Sequence, residues 1–306
     1  MVADRGVYAN MFTSWSYYMP GHTITIESYP DSAYAEFFMT SSASRTDPFF
    51  KLTAQPGDYT RMTFRGLSII GYNAGAIWFV GSWPETLAGW NGGNTITNCV
   101  FSDVGNRFMP EQVGCFGVLD FVNSRDNLVE NCLFIRCANV QPLDPLPGGN
   151  TTATWDTTVV NDADGSLPIN GIYLAHGSTS TIVSGNKFQA MRGDCIRVRD
   201  ASNNTLIQNN EAYRSPVTGF CTAWHCVNRP DLPMTCYALE DKSDGTTLEG
   251  NIIIGNWACG TPRLYYDLTR EWGIPLGSVI YGVNSVTTCA DHVDFQSKDP
   301  RDPVKD

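Results

Sequence analysis

No run of about 18 apolar residues occurs in this chain, so the length that a bilayer-spanning helix requires is missing. The opening stretch, MVADRGVYANMFTSW, has neither the basic region nor the apolar core of a secretion signal. Because RGVYANMF already reads as strand, the expectation is a mature or trimmed piece of a longer product. Positive charge is scarce: 20 Lys and Arg stand against 31 Asp and Glu, a net charge of −11. Such a field repels phosphate backbones and anionic lipid surfaces alike, which argues against nucleic-acid and membrane partners. There are ten cysteines but no CxxC pair, which removes the usual spacing of a zinc site.

What is present points to a folded, loop-rich chain. Apolar residues make up 42%, with 28 Gly and 17 Pro, enough for a core and for many turns. An even cysteine count and the sequons at Asn150 and Asn203 suggest a protein secreted from the cell, with disulfides among the later cysteines.

A repeat emerges when TITNCVFSDVG (from 95), LVENCLFIRCA (128), IVSGNKFQAMRG (182), LIQNNEAYRS (206) and TLEGNIIIGNW (247) are aligned. One column reads Cys99, Cys132, Asn186, Asn210, Asn251, and another reads Ile96, Val129, Val183, Ile207, Leu248. A second strand set ends in serine: AIWFVGS (76), GVLDFVNS (117), GIYLAHGS (171), CIRVRDAS (195) and CYALEDKS (236). Asn186 to Asn210 and Ser178 to Ser202 are both 24 residues apart. A fixed period of short strands with Asn and Gly turns, and no helical period between them, implies an all-β solenoid in which coils stack. Aliphatic columns would then point inward, and Asn would satisfy turn backbone along the stack. Cys99 and Cys132 share a column, which favours a buried structural role or a bond between coils over metal binding. The intervals of 33, 54 and 41 residues place loop insertions between coils, the longest at 140–170. We expect one domain over 1–306, with coils clearest at 60–255 and an irregular C-terminal cap at 256–306.

The segment INGIYLAHGSTSTIVSGNKFQAMRGDCIRVRDASNNTLIQNNEAYRS resembles the right-handed parallel β-helix repeat family. That family includes pectate, alginate and chondroitin lyases, polygalacturonases and mannuronan epimerases. The resemblance implies a single-stranded right-handed parallel β-helix with long loop insertions, and it leaves the activity open.

Alternation of Cys195, Ile196, Arg197, Val198, Arg199 and Asp200 puts Ile196 and Val198 in the core and two guanidiniums on the outer face. Superposition on the serines sets Tyr173 one coil before Arg197 and His176 one coil before Asp200. It also sets Ile77 and Leu119 in the Arg197 column, and Phe79 and Phe121 in the Arg199 column. A coil at 219–227 supplies Trp224 and His225, and the next brings Glu240, Asp241 and Lys242 beside Arg199 and Asp200. Solvated ion pairs explain such a patch equally well. What favours chemistry is convergence of phenol, imidazole, guanidinium and carboxylate on neighbouring coils.

These residues suit β-elimination on an acidic, uronate-containing polysaccharide. Arg197 would clamp the carboxylate bidentately, and Tyr173, His176 and Arg199 are the proton-transfer candidates. In β-helix lyases an Arg or Lys is taken as base, which the resemblance maps to Arg199. Trp224, His225, Glu240, Asp241 and Lys242 would bind substrate. No metal ligand set is identified, although Asp200, Glu240 and Asp241 offer oxygen for a calcium ion. An exposed Arg197 implies that its replacement by Ala costs at most about 1 kcal/mol of stability. The alternatives are an inverting hydrolase of polygalacturonase type, for which Asp120, Asp162 and Asp164 are the only carboxyls on offer, and a non-catalytic carbohydrate-binding β-helix. A monomer is expected.

Overall fold

The computed structural model describes residues 2–3, 7–15, 21–28, 35–38, 48–53, 61–72, 74–81, 91–105, 117–137, 169–189, 191, 194–213, 237–240, 248–259, 265–267 and 280–287. All the regular structure among them is strand, and every strand pairing is parallel. Two sheets of nine strands and one of eight run the length of the stack, beside a small two-stranded pairing. Among the described residues, eight coils each contribute one short strand to each long sheet. In one coil these are Asn170–Ala175, Ile182–Ser184 and Lys187–Gln189; in the next they are Ile196–Arg199, Leu206–Gln208 and Glu211–Tyr213. The chain is a parallel β-helix.

The columns follow from side-chain alternation. Phe64, Ile96, Val129, Val183, Ile207 and Ile253 pair in register and are all buried. The second sheet stacks Phe101 on Phe134 and Phe134 on Phe188, with ring centroids 4.9 and 4.7 Å apart, close to the rise of one strand. At the turn between these sheets the residues at positive φ are Gly66, Asn98, Asn131, Gly185, Asn209 and Gly255, the residue types for which the left-handed region costs least. The next position carries a buried amide ladder: Asn186 Nδ2 donates to Asn210 Oδ1, Asn210 Nδ2 to Asn256 Oδ1, and Asn256 Nδ2 to Asn284 Oδ1, each at 3.0 Å.

Two alignments expected from sequence shift. Asn210 is followed in its column by Asn256, 46 residues on, and Ile207 by Ile253; Asn251 and Leu248 do not occupy these places. Asn251 belongs one turn earlier, where its Oδ1 accepts from Thr205 N at 2.8 Å. The stretch NIIIGN offers two Asn residues five apart, and only the ladder decides between them. Strand Tyr237–Glu240 pairs directly with Ile196–Arg199, so no coil at 219–227 lies between them in that sheet. The strands Thr23–Ser28 and Ala35–Phe38 are early coils. Coil pairing also continues past 255, with Ile253 against Tyr281 and Trp257 against Ser285.

Cys99, Cys132, Cys137 and Cys195 are buried free thiols. The first two occupy neighbouring coils without a disulfide, and burial first of all holds the Cys132 thiol well above its ordinary pKa.

Candidate functional site

The eight-stranded sheet carries the site on its outer face. Along it Ile77, Leu119, Ile172 and Ile196 point inward in one column, and Phe79, Phe121, Leu174 and Val198 in the other. The residues between them point outward. The outer column therefore reads Lys51, Trp78, Asp120, Tyr173, Arg197, one strand per residue.

This corrects the expected neighbours of the arginines. Leu119 is level with Ile172, and Asp120 with Tyr173, so Leu119 and Phe121 are core and Asp120 belongs to the site. The serine ladder used for alignment is real: Ser124 N donates to Ser178 Oγ at 3.1 Å and Ser178 N to Ser202 Oγ at 3.2 Å. Between strand and serine, however, one coil has only Asn123 and the next has His176 and Gly177. Gly177, at φ 78°, absorbs the extra residue, so counting back from the serine lands one place out. A slip of one exchanges the two faces of a strand.

Tyr173 lies level with Arg197, as the sequence predicted. His176 and Asp200 meet as well, with His176 Nδ1 3.3 Å from Asp200 Oδ2. Arg199 Nε lies 2.6 Å from the same oxygen. Asp200 is fully buried, whereas the side chains of Arg199 and His176 keep 14% and 20% of their exposure. One sequestered carboxylate thus orients two outward-facing groups from adjacent coils. Glu240 is level with Arg199 in the backbone register. Trp224, His225, Asp241 and Lys242 lie outside the described residues.

Arg197 is not an exposed cation. It retains 2% of its surface and its Nη1 donates to Asp194 Oδ2 at 3.4 Å. Asp194 is itself buried, with its backbone N–H bonded to Asn170 Oδ1 at 3.0 Å. Desolvation lowers the Arg197 pKa to about 10 despite Asp194, so it remains a guanidinium at neutral pH. A buried charge deprived of its partner is costly, and the expected tolerance of Arg197 replacement does not hold for this environment.

Desolvation also raises Tyr173 to about 12, against the pull of Arg199 and Arg197. Asp120 is raised to about 8 by burial, with Lys51 opposing, and its Oδ1 has no hydrogen-bond partner. Both groups are therefore protonated at neutral pH. Among the described residues no cluster of three His, Cys, Asp or Glu could hold a metal ion. Asp200 lies against Arg199 and His176, and the other two oxygen donors expected for calcium, the side chains of Glu240 and Asp241, lie outside what is described.

The family model for a right-handed β-helix region matches residues 57–228. The chain belongs to that family, and the solenoid is the right-handed parallel β-helix. No curated protein matches it. Among solved structures, the alginate lyase from Paenibacillus sp. str. FPU-7 is similar at 12% identity over 88% of this chain and 93% of that one, with a TM-score of 0.22. A likeness that faint carries nothing about activity. Among the described residues no helix is long and apolar enough to cross a membrane.

Proposed function

We propose that this chain acts on an acidic, uronate-containing polysaccharide by β-elimination. The observation that carries the reading is the packing of Tyr173 level with Arg197, beside the Arg199–Asp200–His176 contact. Elimination needs the uronate carboxylate neutralised, the C5 proton removed, and the departing oxygen at C4 protonated.

Arg199, at the accessible edge, meets the carboxylate, and Arg197 adds positive charge from behind. With Nδ1 turned to Asp200, Nε2 is the nitrogen of His176 that takes the C5 proton. The electron pair left at C5 is held on the carboxylate by the two guanidiniums. It then forms the C4–C5 double bond as the C4–O bond breaks, and the Tyr173 phenol gives its proton to the departing oxygen. Arg199 is a clamp here, because a guanidinium that stays protonated makes a poor base. No step passes through calcium. Such glycans lie outside cells, so an extracellular location belongs to the same proposal.

Hydrolysis is the second reading, favoured by one observation: a buried, protonated Asp120 suits a general acid. Inversion also needs a second carboxylate about 6.5–9.5 Å away, and Asp194 and Asp200 are both engaged by arginine.

The test is a panel of polyuronates and neutral glycans assayed for ultraviolet absorbance of an unsaturated product and for new reducing ends. Elimination gives both signals, hydrolysis gives only reducing ends, and a binding module gives neither. His176→Ala should lower kcat by about 100-fold or more, in line with loss of a proton-transfer group, while Arg199→Ala raises KM as well. Wild-type activity in both variants would remove the site assignment.

A further inference from the structure

Trp78 continues the outer column beyond Asp120, and Lys51 continues it one strand further. Both are half-buried, unlike Asp120 and Tyr173 beside them. The indole is fixed in place: Nε1 donates to Gly117 O at 3.2 Å. A Cβ on Gly75 would lie 2.2 Å from that nitrogen, and one on Gly117 2.9 Å from Tyr173 Cβ. Gly75 and the Gly117 carbonyl therefore form a floor of bare backbone against the nitrogen edge of the indole, and Gly117 lies close against the Tyr173 strand. Lys51 Nζ stands 5.8 Å from the ring centroid, at the outer limit of a cation–π contact.

Trp78 sits between the inward Ile77 and Phe79, so it is not part of the core. An immobilised, partly exposed indole loses little conformational freedom on binding and presents an apolar surface to the C–H face of a sugar ring. The Lys51 ammonium, which stands over the ring, suits a carboxylate on that same sugar. We infer that Trp78 and Lys51 form a second subsite for an acidic sugar of the same polymer, so that the glycan lies along the stacking axis toward the N-terminal coils. The inference rests on the uronate reading and adds the direction and minimum length of the substrate. Trp78 lies three strands from Arg197, about 14 Å at about 4.8 Å per strand. With a sugar unit about as long as one strand spacing, on the order of four units are needed to reach both places.

The experiment is a size series of oligouronates, from disaccharide to hexasaccharide, assayed with wild type, Trp78→Ala and Lys51→Met. Binding of the same oligomers is measured by calorimetry. For chains long enough to reach Trp78, both variants should raise KM about tenfold with kcat little changed, and the penalty should shrink as chains shorten. Lys51→Met should also narrow the preference for uronates over neutral oligomers of equal length. A KM penalty equal at every length, or none in either variant, overturns the subsite. If wild type cleaves nothing, calorimetry still decides. Length-dependent uronate binding weakened by both variants upholds the subsite while the elimination reading falls; no uronate binding removes both. Lys51→Met leaves the glycine floor and the indole untouched, which guards against a misfolded Trp78→Ala.

Discussion

Asp120 stands on the outer face between Trp78 and Tyr173, sealed from water, with Lys51 as the nearby cation. Its pKa of about 8 in the folded chain compares with about 3.9 when unfolded. Between those values the native state holds a proton that the unfolded state has lost, so stability falls as pH rises. The contribution is fully present below the unfolded value and is gone above the folded one. Asp120→Asn should therefore flatten the fall. Compared with wild type, its melting temperature should gain several degrees between about pH 5 and pH 8, since about 1 kcal/mol moves a chain of this size by a few degrees. Thermal scans against pH check this. Asp120 was legible as a strand carboxyl but not as a member of the site. Trp78 was likewise missed as a member of the site, because a serine alignment cannot register the extra Gly177, and Lys51 lies outside the serine-ended strands altogether. Arg197 and Tyr173 escaped the error, since their coils share the 24-residue spacing.

At the scale of an element, the amide ladder is the most exacting part of the coil. Asn210 Oδ1 accepts from Asn186 N at 2.9 Å, and its Nδ2 donates to Val183 O at 3.0 Å and to Asn256. Asn210→Ala would orphan the buried Asn186 N–H and Val183 C=O of the preceding coil at once, while Asn256 Oδ1 would still accept from the backbone N–H of residue 210. An unsatisfied buried group costs about 1–3 kcal/mol, so a loss of roughly 3 kcal/mol or more is expected, read as a lower denaturant midpoint. The half-buried Gln208 two residues earlier should tolerate Ala within about 0.5 kcal/mol. Strand alternation and the Asn and Gly turns were visible in the sequence because they express backbone geometry directly. The place of Asn251 was not, since two Asn in one short stretch satisfy the same pattern. Burial of Arg197 was hidden for a different reason: period-two alternation tells which face a side chain takes, and nothing about what covers that face.

For the molecule as a whole, the stacked architecture was the most readable feature, and the family match bears it out. Net charge adds a measurable consequence. A chain at −11 repels a polyuronate at long range even where its site is locally cationic. At about 0.1 M salt the screening length is about 10 Å, against about 30 Å at 0.01 M. The second-order rate constant kcat/KM on a polyuronate should therefore rise as salt is added across that range, as steady-state assays would show.

The coils bearing Tyr173 and Arg197 are joined at the uniform spacing of 24 residues, and the His176–Asp200 contact links one directly to the next. Such a pair behaves as a cassette. Duplicating it would lengthen the rod by two layers and copy the phenol and guanidinium together, a route by which one solenoid could acquire a second, equally spaced centre without redesigning its core.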